Sequence, residues 1–109
     1  MLDINIKAHQ GILFVRLKGN LNQNSLGKLK TEVSRLVKEV GIKNIVFNLT
    51  ELDLMDSAGA EELIRNYNYC NSNFGTALFV SEKSNSYIEN CLQGSLIHDE
   101  KTAANLINT

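Results

Sequence analysis

Lys43-Asn44-Ile45-Val46-Phe47-Asn48-Leu49 leads through Thr50-Glu51-Leu52-Asp53-Leu54-Met55 to Asp56-Ser57-Ala58-Gly59, and how this stretch is read decides the fold. Residues 45–49 form a short apolar, partly β-branched run, the pattern of a buried strand. From Ala58 the period changes. Ala60, Leu63, Ile64 and Tyr67 recur every three or four residues and so share one helix face, and the polar run Asn71-Ser72-Asn73 ends that helix. Leu52 and Leu54 alternate with Asp53 in the connection and are expected to tuck under the sheet end. Asp56-Ser57 stands at the changeover. A serine at a helix start accepts bonds from the first free backbone N–H groups. Ser57 is therefore expected at an exposed helix N-terminus, beside a carboxylate, at one end of a sheet.

Outward toward the N-terminus, Leu2, Ile4 and Ile6 alternate with polar residues as in a half-buried strand. After the turn His9-Gln10-Gly11, residues 12–17 read as a second, more buried strand ended by Gly19, and so short a link implies an antiparallel hairpin. Asn20–Ser25 is a polar loop with one apolar anchor, Leu21, and Ser25 is placed to cap a helix. Leu26, Leu29, Val33, Leu36, Val37 and Val40 form that helix's apolar stripe, and Gly41 is its natural C-cap. A helix between the second strand and the central one implies a right-handed crossover with parallel strands. Toward the C-terminus, residues 76–80 give a further strand. Ser84 or Asn85 is placed to cap a short helix carrying Tyr87, Ile88 and Leu92. Ser95–His98 suits an edge strand, and Asp99 or Glu100 opens a last helix with Ala103, Leu106 and Ile107. The order β-β-α-β-α-β-α-(β)-α describes an α/β sandwich, with helices packed on a mixed sheet of four to five strands.

A chain of 109 residues fits one domain, residues 1–109, and 43% apolar residues argue against disorder. The 11 basic residues are scattered and the net charge is −1, so there is no nucleic-acid footprint. No apolar run is long enough to insert in a bilayer, and Met1-Leu2-Asp3-Ile4 is no signal peptide. Cys70 and Cys91 form no Cys-x-x-Cys pair and read as free thiols of a reducing cytoplasm.

Chemistry concentrates at Asp56-Ser57. The residues alone leave two roles open for Ser57, a helix cap or a hydroxyl presented for phosphorylation. Phosphate is favoured at a helix N-terminus and adds about −1.5 to −2 charges. Hydrolase chemistry is not indicated: no Gly-x-Ser-x-Gly elbow surrounds Ser57, and His9 and His98 are the only histidines. His9, Cys70, Cys91 and His98 lack metal-ligand spacing, and no Gly-rich nucleotide loop is present, so no metal or cofactor is expected. Tyr67, Tyr69 and Phe74 suit core or helix-end packing. Glu61 and Glu62, early in the Ser57 helix, suit the dipole or a partner contact.

Taken together, Val15-Arg16-Leu17-Lys18-Gly19-Asn20-Leu21-Asn22, Leu29, Ile45–Leu49 and Leu54-Met55-Asp56-Ser57-Ala58-Gly59 resemble the STAS domain family, and within it the stand-alone bacterial anti-sigma-factor antagonists. The resemblance fades after about Val80, and Asp-Ser-x-Gly after a strand ending in Asn-Leu is its specific part. It implies a non-enzymatic cytoplasmic protein, monomeric when free. A partner that is both anti-sigma factor and serine kinase would bind it while Ser57 is unphosphorylated, phosphorylation of Ser57 would block binding, and a serine phosphatase would restore it. The implied contact surface comprises Asn20, Asn22, Gln23, Asn24, Ser25, Asp56, Ser57, Ala58, Gly59, Glu61 and Glu62. Three positions depart from the family pattern. Asn22 stands where Asp is usual, which removes a carboxylate. Ala58 replaces a common second Ser or Thr, which leaves the switch on Ser57 alone. Ala60-Glu61-Glu62 stands where apolar residues are usual. The alternative is a constitutive STAS subunit of a signalling or lipid-transport assembly, with no phosphoswitch.

Overall fold

The computed structural model describes residues 2–72, 75–81, 96–97, 102 and 107. The alternating N-terminal residues form β1 (Leu2–His9), which pairs antiparallel with β2 (Ile12–Leu21) from Leu2↔Gly19 to His9↔Ile12. Gln10 (φ 51°) and Gly11 (φ 80°) are both left-handed, which matches the tight hairpin turn to the twist of its strands. β3 (Asn44–Met55), β4 (Thr76–Val80) and β5 (Leu96–Ile97) follow in parallel, so the mixed five-stranded sheet has the order β1-β2-β3-β4-β5. The helix joining β2 to β3 and the helix α2 (Ser57–Ser72) joining β3 to β4 are the crossovers that parallel pairing requires.

Strand alternation divides the apolar side chains between two faces. Leu13, Val15, Leu17, Ile45, Phe47, Leu49, Ala77 and Phe79 face the helices and join Leu29, Val33, Val37, Leu63 and Cys70 in the main core. Phe47 and Phe79 stack at 5.5 Å, and Tyr67 stacks on Phe79 at 6.1 Å from α2. Each fully buried side chain of this kind contributes about 1.5–3 kcal/mol. On the opposite face Ile12, Val46, Leu78 and Val80 form a second cluster, with Phe14 and Ile107 against it. Cys70 is a free, buried thiol donating to Ile42 O at 3.6 Å, and burial raises its pKa.

Several expectations change. β2 continues past Gly19, which lies at φ 102°, as far as Leu21. β3 likewise continues to Met55, so Leu52 and Leu54 belong to a strand and not to a connection. Leu52 is buried, but Leu54 is 71% exposed. A register irregularity between their partners, Gly19 and Asn20, breaks the alternation that would have put both on one face.

The helix before β3 (α1, residues 26–39) is α-helical over Leu26–Leu29, π-helical over Lys30–Ser34 and α-helical again over Arg35–Glu39. Its core residues Leu29, Val33 and Val37 are spaced by four, which drifts by about 40° per step on a regular helix. The wider π turn keeps them in line. It also buries Ser34, while Val40, beyond the helix end, is 65% exposed and leaves the expected stripe. Gly41, at φ 74°, makes the left-handed turn expected of it. The expected elements around Ser84 to Leu92 and from Asp99 to Leu106, together with Asn73, Phe74, Cys91 and His98, lie outside the described residues.

Candidate functional site

The parallel pairing of β2 with β3 brings Leu21 opposite Met55, so both strands end side by side and the loop after β2 meets the start of α2. Asp56 N donates to Leu21 O at 3.1 Å and ties the two exits together. Gly59 sits directly over Leu21. A Cβ there would lie 2.6 Å from Leu21 Cγ and 2.8 Å from Leu21 O, closer than any side chain tolerates, so only glycine allows this helix to close on the strand.

Asp56 performs the capping. Its Oδ1 accepts from Gly59 N at 2.9 Å, the N3 position of α2. Its Oδ2 accepts from Gln23 N at 3.0 Å, so one carboxylate holds both the helix and the loop. The loop is closed further by its own side chains. Asn22 Oδ1 accepts from Asn24 N at 2.9 Å and from Ser25 N at 3.1 Å. Ser25 Oγ accepts from Asn22 N at 3.0 Å and donates to Asn20 O at 2.8 Å. Asn20 Oδ1 is buried and has no hydrogen-bond partner among the described residues.

Neither serine therefore caps a helix. Ser25 makes no cap bond to α1, because its hydroxyl is turned back into the loop. Ser57 is the first residue of α2, one position past the cap. Its side chain is exposed, with no hydrogen bond among the described residues. Asn20, Asn22, Gln23, Asn24, Ser25, Asp56, Ser57, Ala58 and Gly59 are thus brought to one end of the sheet. Gln23, Asn24, Ser57 and Glu61 are exposed there, Asn20, Asn22, Ser25, Asp56 and Ala58 are half-buried, and Gly59 is buried.

Glu62 does not present itself for contact and is 4% exposed. Ser34 Oγ donates to Glu62 Oε2 at 2.6 Å, Asn66 Nδ2 donates to Ser34 Oγ at 3.0 Å, and Arg65 Nη1 donates to Glu62 Oε1 at 3.1 Å. The polar spacing Glu62, Arg65, Asn66 on α2 was the available sequence signal for this cluster, since positions three and four apart share a face.

No described histidine lies beside Ser57. His9 ends β1 opposite Ile12, at the far end of β2 from Leu21. No group of three metal-ligating side chains occurs among the described residues, and no described helix is long and apolar enough to cross a membrane.

Strand order, helix placement and the capped turn together define a class. The sequence pattern of the STAS domain matches residues 3–95, and the chain belongs to that family. Among particular proteins it is similar to the anti-sigma F factor antagonist of Paenibacillus polymyxa, 28% identical over 74 residues, which are 68% of this chain and 63% of that relative. The match thus spans less than two thirds of the relative's length. An anti-sigma factor antagonist from Mycobacterium paratuberculosis has the same fold, with a TM-score of 0.86 at 14% identity over 100% of this chain and 96% of that one. So does SpoIIAA of Bacillus, with a TM-score of 0.78 for its unphosphorylated form, 16% identical over 97% of this chain and 98% of that one. Its phosphorylated form has the same TM-score, at 15% identity over 96% and 99%.

Proposed function

We propose that this chain is a cytoplasmic anti-sigma-factor antagonist, monomeric when free, and that Ser57 is its switch. The observation that carries the reading is the Ser57 hydroxyl, exposed and with no hydrogen bond among the described residues, one residue past a helix cap supplied by Asp56. Phosphoryl transfer needs such a hydroxyl. The terminal phosphoryl group of ATP passes to Ser57 Oγ, the hydroxyl proton leaves, and ADP is released. The product adds about −1.5 to −2 charges beside the Asp56 carboxylate. The surface where the loop 20–25 and the start of α2 meet, which already carries the Asp56 carboxylate, becomes strongly acidic, and an anti-sigma factor with serine-kinase activity no longer docks. A serine phosphatase reverses the step. Family membership and the names borne by similar proteins support this reading.

Intact mass tests it, after incubation with a candidate kinase and ATP beside Ser57→Ala. One added phosphate on the parent and none on the variant is expected. Ser57→Asp should weaken binding to the same partner, and unchanged affinity would sink the switch. A second reading is favoured by Asn22, which holds the loop with a neutral amide and supplies no charge. It makes the chain a constitutive STAS subunit of a signalling or lipid-transport assembly. No phosphate on either protein, with tight partner binding retained, would select it.

A further inference from the structure

A polar groove of about 340 Å³ between α1 and α2 has no part in the function proposed above. Lys30, Arg35 and Lys38 line it from α1, and Arg65 lines it from α2. Its floor holds Ser34 and Glu62, each 4% exposed. The floor is bonded within itself, for Asn66 Nδ2 also donates to Glu62 O at 2.9 Å. Burying a carboxylate costs several kcal/mol, and an apolar pair of similar volume is often at least as stable. Stability alone is thus a poor reason for Glu62.

What Glu62 does is orient a cation. It holds Arg65 at 3.1 Å, and on the other wall Glu39 Oε2 accepts from Arg35 Nε at 2.9 Å. Two guanidinium groups from different helices are therefore positioned by their own carboxylates. Their side chains stay 64% and 66% exposed, with further N–H donors to offer. Lys30 and Lys38 are exposed and make no ion pair among the described residues. Four of the chain's 11 basic side chains line this groove and only two of its 12 acidic ones do, on a chain of net charge −1.

We infer that the groove between α1 and α2 is a docking site for a short acidic segment of a partner protein. Positioned guanidinium forks suit carboxylates. Lys30 and Lys38 are separated by about 12 Å along the helix, which about four extended residues span. That length suits a few Asp or Glu side chains. It is too short for the roughly 6–10 phosphate contacts that give a nucleic-acid binder its affinity. The site is also concave, which a flat anionic bilayer cannot follow. Nothing in this assignment depends on Ser57 or its phosphorylation.

The test is titration of the full-length, 15N-labelled chain with a short poly-glutamate peptide, followed by amide chemical shifts. Saturable shifts are expected at Lys30, Ser34, Arg35, Lys38 and Arg65, fading as salt rises. The exposed double variant Lys30→Glu/Lys38→Glu should weaken binding at least about tenfold. Lys7→Glu/Lys43→Glu, which changes the net charge equally away from the groove, should leave it nearly unchanged. No saturable shift, shifts spread over all lysines, or equal loss in both double variants would overturn the assignment. So would tighter binding at these same amides by a single-stranded oligothymidylate or by phosphatidylglycerol vesicles.

Discussion

Helix α1 begins behind a serine that turns away from it, whereas α2 begins behind an aspartate that grips it. Ser25 directs its hydroxyl back to Asn22 N and Asn20 O, and α1 starts without a side-chain cap. Asp56 gives one oxygen to Gly59 N and the other to Gln23 N. Both helix starts thus serve the loop 20–25, and only one also serves its own helix. The difference teaches that capping residues here fix a surface before they fix a helix. α1 is held by the burial of Leu29, Val33 and Val37 instead.

The strongest way to break this arrangement is Gly59→Ala. The added Cβ meets the Leu21 side chain and carbonyl at 2.6 and 2.8 Å, and a carbonyl has no rotamer to escape into. A loss of about 3 kcal/mol is expected in urea unfolding. Asp56→Ala removes acceptors from two N–H groups and should cost about 2 kcal/mol. Faster amide exchange should appear at both Gln23 and Gly59. Exchange changing at Gly59 alone would show that the carboxylate does not hold the loop. Ser25→Ala sharpens the contrast with α1. About 1 kcal/mol is expected, with faster exchange at Asn22 and none at Gly27 or Lys28, the amides a true cap would protect. Ser57→Ala should have the smallest effect, within about 0.5 kcal/mol, because the side chain has no bond to lose among the described residues. A larger loss in the thermal or urea midpoint would restore it to a structural role.

Residues 45–49 were legible because both sheet faces are covered there, which leaves a continuous apolar run. Met55 as the strand's end was not legible. Past Leu49 the pairing slips, and Leu52 goes in while Leu54 comes out, so the alternation on which sequence reading depends is broken. Leu29, Val33 and Val37 were legible as a stripe, but the π turn that aligns them, and the burial of Ser34 with it, has no signature within the helix itself. Ser34 is buried because Glu62 and Asn66 meet it from a segment far along the chain. At the site, a serine at a helix start fits a cap and a presented hydroxyl equally well. Asp56, one residue earlier and with two side-chain oxygens, is bonded to Gly59 N and takes the cap role. The grouping of loop and helix start came from resemblance, since no local period reports a bond spanning 33 positions.

That span bears on when the surface comes into being. Gln23 and Asp56 meet only after β2 has found β3 across the whole of α1, a closure that no hairpin can shortcut. During synthesis the loop emerges early and waits for its latch until Gly59 has left the ribosome. A peptide copying residues 53–61 would carry Ser57 with its neighbours yet lack the loop altogether. A partner that reads loop and serine together would thus engage the finished fold and pass over the nascent chain.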